Sequence, residues 1–368
     1  MKSKWERKLI EDICEKASSN IAQKNLDGLS GNYPVYGASG YIQNVDFYQR
    51  DTEYIGIVKD GSGVGRVNTY PAYSSLLGTM QYILPKKGYS LQFVAYALKS
   101  LNLASFAAGA AIPHIYFRDY GKCEVSVPPL DEQQRIVAEL DLLTEVIDKR
   151  RMQLKELETL AQSIFYNMFD DPIQNEKGWD VKSLGDVCTS VSYGTSSPSS
   201  PSGRYKYLRM NNITYDGYLD LTDLKYIDMD EAEFEKYAVK EGDVLFNRTN
   251  SMDLIGKTTY IHNMEPMIIA GYIIRVRLDN SVMPVFVAKF MNTPAMKKKL
   301  RSMAKGAVNQ ANINSKELKS IDLIVPPIKL QQEFADKIQS IEKQKAAVNQ
   351  SIVETQKLLD YTMDKYFG

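Results

Sequence analysis

Two stretches of the chain carry one apolar pattern. After Val127-Pro128-Pro129, apolar residues fall at Ile136, Leu140, Leu143, Ile147, Leu154, Leu157, Ala161, Ile164 and Met168, in alternating steps of four and three broken only at Arg150. After Val325-Pro326-Pro327 the same grid holds Phe334, Ile338, Ile341, Val348, Ile352, Leu359 and Tyr366, interrupted at Lys345, Thr355 and Thr362. The stretches align without a gap at an offset of 198, sharing Gln133-Gln134 with Gln331-Gln332 and ending on Phe169 and Phe367. Such spacing sustained over about five heptads predicts two long helices with a coiled-coil seam. The paired prolines set an extended entry and a sharp start. At ~1.5 Å per residue each rod is roughly 57 Å long, and a seam of that length needs a partner. The other copy supplies one, so the rods are expected to pack antiparallel on each other.

The repeat extends beyond the rods. Trp5, Lys8, Ile10, Asp12, Ile13 and Cys14 match Trp179, Lys182, Leu184, Asp186, Val187 and Cys188 at an offset of 174. Lys59-Asp60-Gly61-Ser62 resembles Arg248-Thr249-Asn250-Ser251 at 189, Gly65-Arg66 resembles Gly256-Lys257 at 191, Phe93-Val94-Ala95 matches Phe286-Val287-Ala288 at 193, and Ile115 matches Ile313 at 198. The offset grows monotonically, so the chain is two copies of one unit, each a globular region followed by a rod. The fold class expected is α+β: two mixed α/β domains related by internal repeat and joined by two long helices in an antiparallel coiled coil. The boundaries read as 1–126 (first domain), 127–169 (central long helix), 170–178 (linker), 179–324 (second domain) and 325–368 (C-terminal long helix).

Within the globular regions, short apolar runs at 54–59, 243–248, 205–210 and 268–278 have strand character, and 92–105 and 285–303 have helical spacing. Residues 194–203, GTSSPSSPSG, read as a mobile surface loop.

Charge and composition exclude several classes. Basic and acidic residues balance at 45 each, so the overall field does not mark the chain as a nucleic-acid binder. Three scattered cysteines and a charged start, MKSKWERKLI, point to a reducing cytoplasm without disulfides or a signal segment. Two lone histidines give no metal-ligand spacing, and no cofactor is expected. Ile255-Gly256-Lys257-Thr258 resembles the end of a phosphate loop, but Ser251 stands where that loop needs glycine. Gly61, Gly63 and Gly65 are followed by no helix pattern, and no catalytic set repeats between the copies. The expectation is a non-catalytic protein.

The segments VPPLDEQQRIVAELD and VPPIKLQQEF, with GDVLFNRT at 242–249 and YPVYGASG at 33–40, resemble the specificity subunit of type I restriction-modification systems. The resemblance covers the whole chain. It implies two target-recognition domains, each reading one half of a split DNA sequence. It also implies a helical spacer that docks two methylase subunits, with restriction-translocase subunits joining the complex. Leu330 stands where the first copy has Glu132, a departure from the family pattern.

Arg and Lys match guanine edges and Asn matches adenine. Candidate DNA-binding residues are therefore Lys59, Ser62, Arg66 and Asn68 in the first domain, and Arg209, Asn211, Asn212, Arg248, Asn250 and Lys257 in the second. Lys298 joins them from the basic run at 296–301. Candidate interface residues are Ile136, Leu140, Leu143, Ile147, Leu154, Leu157, Phe334, Ile338, Ile341, Val348, Ile352 and Leu359. The rival expectation is a coiled-coil scaffold with no DNA role.

Overall fold

The computed structural model describes residues 5–109, 112–307 and 310–368. The first four residues of the charged start lie outside this set. The chain divides into two compact units, Met1–Met152 with Asn349–Gly368, and Gln153–Val348.

In the first unit, Glu6–Leu9 pairs antiparallel with Glu124–Val127. A four-stranded antiparallel sheet runs in the order Cys14–Ser18, Met80–Pro85, Tyr54–Val58, Val67–Tyr70. Its centre, Tyr54–Val58, is apolar at nearly every position and buried throughout, so it forms a strand covered on both faces. A three-stranded sheet orders Gly40–Val45, Tyr33–Gly37 and Ser75–Leu76, the last pair parallel. The helix Leu91–Ser100 starts at Ser90, whose hydroxyl caps the Phe93 amide, and buries Phe93 to Leu98.

The second unit repeats this plan. Asp180–Ser183 pairs with Asp322–Val325. The four-stranded sheet is Cys188–Tyr193, Ile273–Leu278, Val244–Asn247, Thr258–Tyr260, and the three-stranded one is Lys225–Ile227, Tyr205–Leu208, Ile268–Ile269. Its additions are the helix Glu231–Tyr237 and a ribbon of Thr249–Asn250, Gln310–Asn312 and Lys305–Ala307.

The matched segments carry matched hydrogen bonds. The Ile115 amide donates to the Lys59 carbonyl at 3.0 Å and the Ile313 amide to Arg248 at 2.9 Å; Gly65 donates to Val58 and Gly256 to Asn247. Cys14 and Cys188 each donate Sγ–H to the carbonyl four residues earlier, Ile10 and Leu184.

Four elements differ from the sequence reading. The helix expected over 92–105 ends at Ser100, and Leu103–Phe106 is a separate 3-10 turn because Asn102 takes a left-handed φ of 46°. The helix expected over 285–303 is two helices, Pro284–Met291 and Pro294–Met303, because Thr293 caps the second and Pro294 occupies its first turn. The strand expected over 268–278 is split between two sheets at Ala270-Gly271-Tyr272. The loop 194–203 is pinned to the sheet: Ser200 exchanges backbone hydrogen bonds with Tyr226, and the Tyr207 hydroxyl donates to the carbonyls of Thr195 and Ser197.

The long helices span Leu130–Phe169 and Ile328–Phe367. In the first unit the start of one meets the end of the other: Ile136, Leu140 and Tyr366 share one core, with Leu359, Met363 and Phe367 packed against it. In the second unit Phe165 and Phe169 lie against Phe334, at 5.7 and 5.2 Å between ring centroids. The pairing is antiparallel in both. The seam follows the expected grid except at the end of the first helix. There Phe165 and Phe169 are buried, rather than Ile164 and Met168. This end packs on its partner and on the helix Pro284–Met291 at once, with Phe169 meeting Phe286 at 4.8 Å as well as Phe334, so the buried stripe rotates by one residue.

The end residues repeat as well. Phe367 packs on Phe93 at 5.3 Å in the first unit as Phe169 packs on Phe286 in the second. Each globular region is thus closed by the final phenylalanine of the other copy's long helix. Gln133 and Gln331, buried at the start of each rod, tie it to the domain. Gln133 Oε1 accepts from the Ser90 amide (2.9 Å) and Nε2 donates to the Pro128 carbonyl (3.0 Å). Gln331 Oε1 accepts from the Met283 amide (2.9 Å), and Nε2 donates to Pro326 (2.8 Å) and Ser281 (3.1 Å). Leu330, the departure from the pattern, leaves this tie intact.

Candidate nucleic-acid interface

In the first domain the strand Tyr54–Val58 leads into the hairpin 59–66. Positive φ at Gly61, Gly63 and Gly65 forms this tight loop, and a Cβ at Gly65 would lie 2.4 Å from the Ala104 amide nitrogen. Lys59 is half-buried; Ser62, Arg66 and Asn68 are exposed. Arg66 Nη1 donates to the Ala38 carbonyl at 3.0 Å. A cleft of 710 Å³ lies here, lined by Gly37, Ala38, Ser39, Asp60, Ser62 and Arg66 among others. Beside it, His114 Nδ1 contacts the Asp60 carboxylate.

In the second domain the equivalent hairpin holds Arg248 over the Tyr193 ring at 4.9 Å, with Nη1 3.4 Å from the Gly271 carbonyl. Asn250 is engaged within its own turn, donating to Asn247 Oδ1 and accepting from the Ser251 amide. Lys257 is buried and donates to the Met210 carbonyl at 2.7 Å; burial lowers its pKa. Arg209 pairs with Asp223 at 2.8 Å. Asn212 is buried, its amide bonded to the Asp220 and Asp223 carbonyls and its carbonyl oxygen to the Arg209 amide. Asn211 beside it is exposed. Lys298 is exposed on the helix Pro294–Met303, whereas its neighbour Lys297 is buried over the Tyr215 ring at 3.7 Å and bonded to the Tyr215 carbonyl. Burial pulls the Lys297 pKa down to about 8.

The structure therefore separates the candidates. Asn212 and Lys257 are committed inside the fold, because buried polar groups must find partners and these have found protein ones, while Asn250 is half-buried with its amide engaged in its own turn. Lys59, Ser62, Arg66, Asn68, Asn211, Arg248 and Lys298 retain surface, as does Arg209 in part beside Asp223.

The interface candidates divide similarly. Ile136, Leu140, Ile147, Leu157, Phe334, Ile338, Ile341 and Val348 are buried, and Leu143, Leu154, Ile352 and Leu359 are half-buried, within this chain alone. The apolar residues left exposed on the helices are others, among them Leu142, Met152, Leu160, Val353, Leu358 and Tyr361.

One group went unseen in the sequence because it falls where the seam is interrupted. Lys345 Nζ meets Glu158 Oε2 at 2.8 Å and sits 3.3 Å from the Tyr218 ring centroid. Lys289, from the helix Pro284–Met291, lies 3.9 Å from both Glu158 and Glu342 and 2.5 Å from the Tyr218 hydroxyl. Burial opposes ionisation of Glu158, but the two lysines and the phenol outweigh it and hold its pKa below the usual carboxylate range. The arrangement is a neutral, partly buried knot that joins both rods to the second domain. Its counterpart in the first domain is the Tyr96 hydroxyl donating to Asp141 at 2.6 Å.

Among the described residues, no group of three or more His, Cys, Asp or Glu side chains is placed to hold a metal ion, and no helix is long and apolar enough to cross a membrane.

Comparison with known proteins accords with the two-copy plan. The family model described as "Type I restriction modification DNA specificity domain" matches twice, over residues 2–159 and 176–355. The EcoKI specificity subunit of Escherichia coli K12 is 23% identical over 303 residues, covering 76% of this chain and 64% of that protein. The StySPI specificity subunit of Salmonella potsdam is 25% identical over 315 residues, covering 77% and 66%. The chain thus spans just under two thirds of the length of these curated relatives. The S subunit of a type I restriction-modification system from M. genitalium superposes with a TM-score of 0.60 at 14% identity, over 99% of this chain and 96% of that one. A chain from a structure of type I R-M complex assembly gives 0.54 at 17% identity, over 98% and 97%. With the family model covering both copies, the chain belongs to the type I restriction modification DNA specificity domain family.

Proposed function

We propose that the chain is the non-catalytic, sequence-specific DNA-recognition subunit of a type I restriction-modification complex. The globular regions 1–126 and 179–324 act as target-recognition domains, each reading one half of a bipartite site. The long helices dock methylase subunits, and restriction-translocase subunits join that assembly. The observation that carries this reading is the repeat itself. Two copies share one backbone frame down to individual hydrogen bonds, yet present different side chains at equivalent surface loops. A protein that reads two different half-sites with one scaffold needs that combination. Lys59, Ser62, Arg66, Asn68, Arg209, Asn211, Arg248 and Lys298 are the reading and phosphate-contacting candidates that retain surface. The exposed apolar residues on the helices, rather than the buried seam, are the docking candidates.

The test is a domain exchange in the complete complex. Replacing residues 1–126 by the corresponding domain of a relative changes one half of the methylated motif and leaves the other as it was. A change in both halves, or in neither, overturns independent reading. A scaffold without a DNA role shows no salt-dependent retention on duplex DNA with the methylase present.

A further inference from the structure

Arg66 and Lys257 occupy equivalent positions in the two copies, each following the glycine of the matched hairpin. Both donate to the carbonyl two residues beyond an equivalent strand residue. In the first domain Tyr36 pairs with Leu76, and Arg66 reaches the carbonyl of Ala38. In the second Leu208 pairs with Ile269, and Lys257 reaches the carbonyl of Met210. The carbonyl reached is equivalent, although Arg66 is exposed and Lys257 is buried. For Lys257 this is an expensive arrangement. The residue is only 6% exposed, burial lowers its pKa, and its partner is a backbone carbonyl. An apolar side chain would fill the space without the desolvation cost. Fixing that carbonyl is what the cation achieves in both copies.

Beyond the fixed carbonyl the copies diverge. In the first, Gly37 pairs with Gly40, and Ala38-Ser39 turns the chain straight back. Ser39 is exposed on the 710 Å³ cleft that Ser62 and Arg66 also line. In the second, Met210–Asn212 forms a short 3-10 turn. Asn212 locks that turn from beneath, leaving Asn211 exposed at its tip.

We infer that residues 38–40 and 210–212 are the base-reading tips of the two domains, with Ser39 and Asn211 as specificity-determining side chains and Arg66 and Lys257 as the struts that position them. An amide at the tip matches the adenine edge, and a hydroxyl donates to or accepts from either kind of edge. This assignment rests on the proposed DNA-reading role and changes the part played by Arg66 and Lys257. They are positioning residues rather than readers.

Strut and reader respond oppositely to a conservative exchange. A guanine-reading Arg loses its fork geometry when replaced by Lys, whereas a strut needs only a donor to one carbonyl. The experiment uses the full chain in complex with its methylase, selecting methylated sites from a random duplex pool. A parent complex that selects no bipartite motif refutes the proposed function itself. Given a parent motif, Arg66→Lys and Lys257→Arg are expected to retain both half-sites. Arg66→Met and Lys257→Met should each lower discrimination in one half-site on the order of 10-fold. Asn211→Ala, at an exposed position, should relax one base position of one half-site on the order of 10-fold or more. The inference is overturned if Asn211→Ala leaves the motif unchanged, or if the Arg–Lys exchanges abolish discrimination as the Met variants do. Should a Met variant fail to fold, the exchanges and Asn211→Ala decide the matter alone.

Discussion

The repeated glutamines offer a quantitative test, because the two copies differ in one hydrogen bond. Replacing Gln133 by Met keeps its shape but strands two backbone groups, the Ser90 amide and the Pro128 carbonyl. Replacing Gln331 strands three: the Met283 amide and the Pro326 and Ser281 carbonyls. Both side chains are essentially buried, at 2% and 0% exposure, so water does not replace the lost partners. Each stranded buried group costs about 1–3 kcal/mol. Gln133→Met should therefore cost about 2–6 kcal/mol and Gln331→Met about 3–9 kcal/mol. Exposed Gln134, next in the motif, is the control, and Gln134→Ala should stay within about 0.5 kcal/mol. The chain supplies its own reporters, since its two tryptophans fall one in each unit. Trp5 stacks on Tyr366 with centroids 6.2 Å apart, and Trp179 Nε1 donates to the Phe169 carbonyl at 3.0 Å. Urea unfolding followed by fluorescence in Trp5→Phe and Trp179→Phe backgrounds separates the two transitions. Gln331→Met should shift the Trp179 transition and Gln133→Met the Trp5 transition, the former by more. The reasoning fails if Gln133→Met costs as much as Gln331→Met, or if both match Gln134→Ala.

A double-mutant cycle on Glu158 and Lys345, using Glu158→Gln and Lys345→Met, should give a coupling energy of about 1–3 kcal/mol, and additivity would show that the knot does not act as one unit. The Lys297 pKa of about 8, against its ordinary 10.5, means that the unfolded chain binds the extra proton between those values. Stability should therefore rise with pH across pH 8 to 9.5, by up to about 1.4 kcal/mol per pH unit relative to Lys297→Met, and parallel profiles would refute this. Burial pushes the Cys14 thiol up to about 12 and Cys188 to about 11. At pH 8 both should resist a thiol reagent in the folded chain and react on denaturation, and fast labelling of Cys14 in native conditions would contradict its packing.

Much of the architecture was legible because it is periodic. The growing offset between copies located each matched hairpin, and the hairpins it joined share backbone hydrogen bonds. Ile115 to Lys59 and Ile313 to Arg248 are examples. Less legible was whatever depends on a partner distant in sequence. Arg66 and Lys257 look like surface cations because their type gives no hint of the carbonyls they reach. Lys345 looks like a fault in the seam because Glu158 lies 187 positions away. The burial of Phe165 and Phe169 escaped for a related reason. Heptad spacing describes one helix against one other, and this end of the rod packs on Phe334 of its partner and on Phe286 of the domain together.

The exchanged phenylalanines also bear on the order in which the molecule is finished during synthesis. The second unit draws on residues 153–348 alone, one continuous stretch. The first unit needs residues 349–368 as well, and Tyr366 and Phe367 sit in or against its core. Domains usually fold as they emerge, the N-terminal one first. Here the region translated first must wait with an open core until residue 367 has left the ribosome, while the region translated second already has all its parts. A stop codon or protease cut near residue 350 would therefore injure the domain farther from it along the chain. The N-terminal domain would be left exposed, and the C-terminal domain intact.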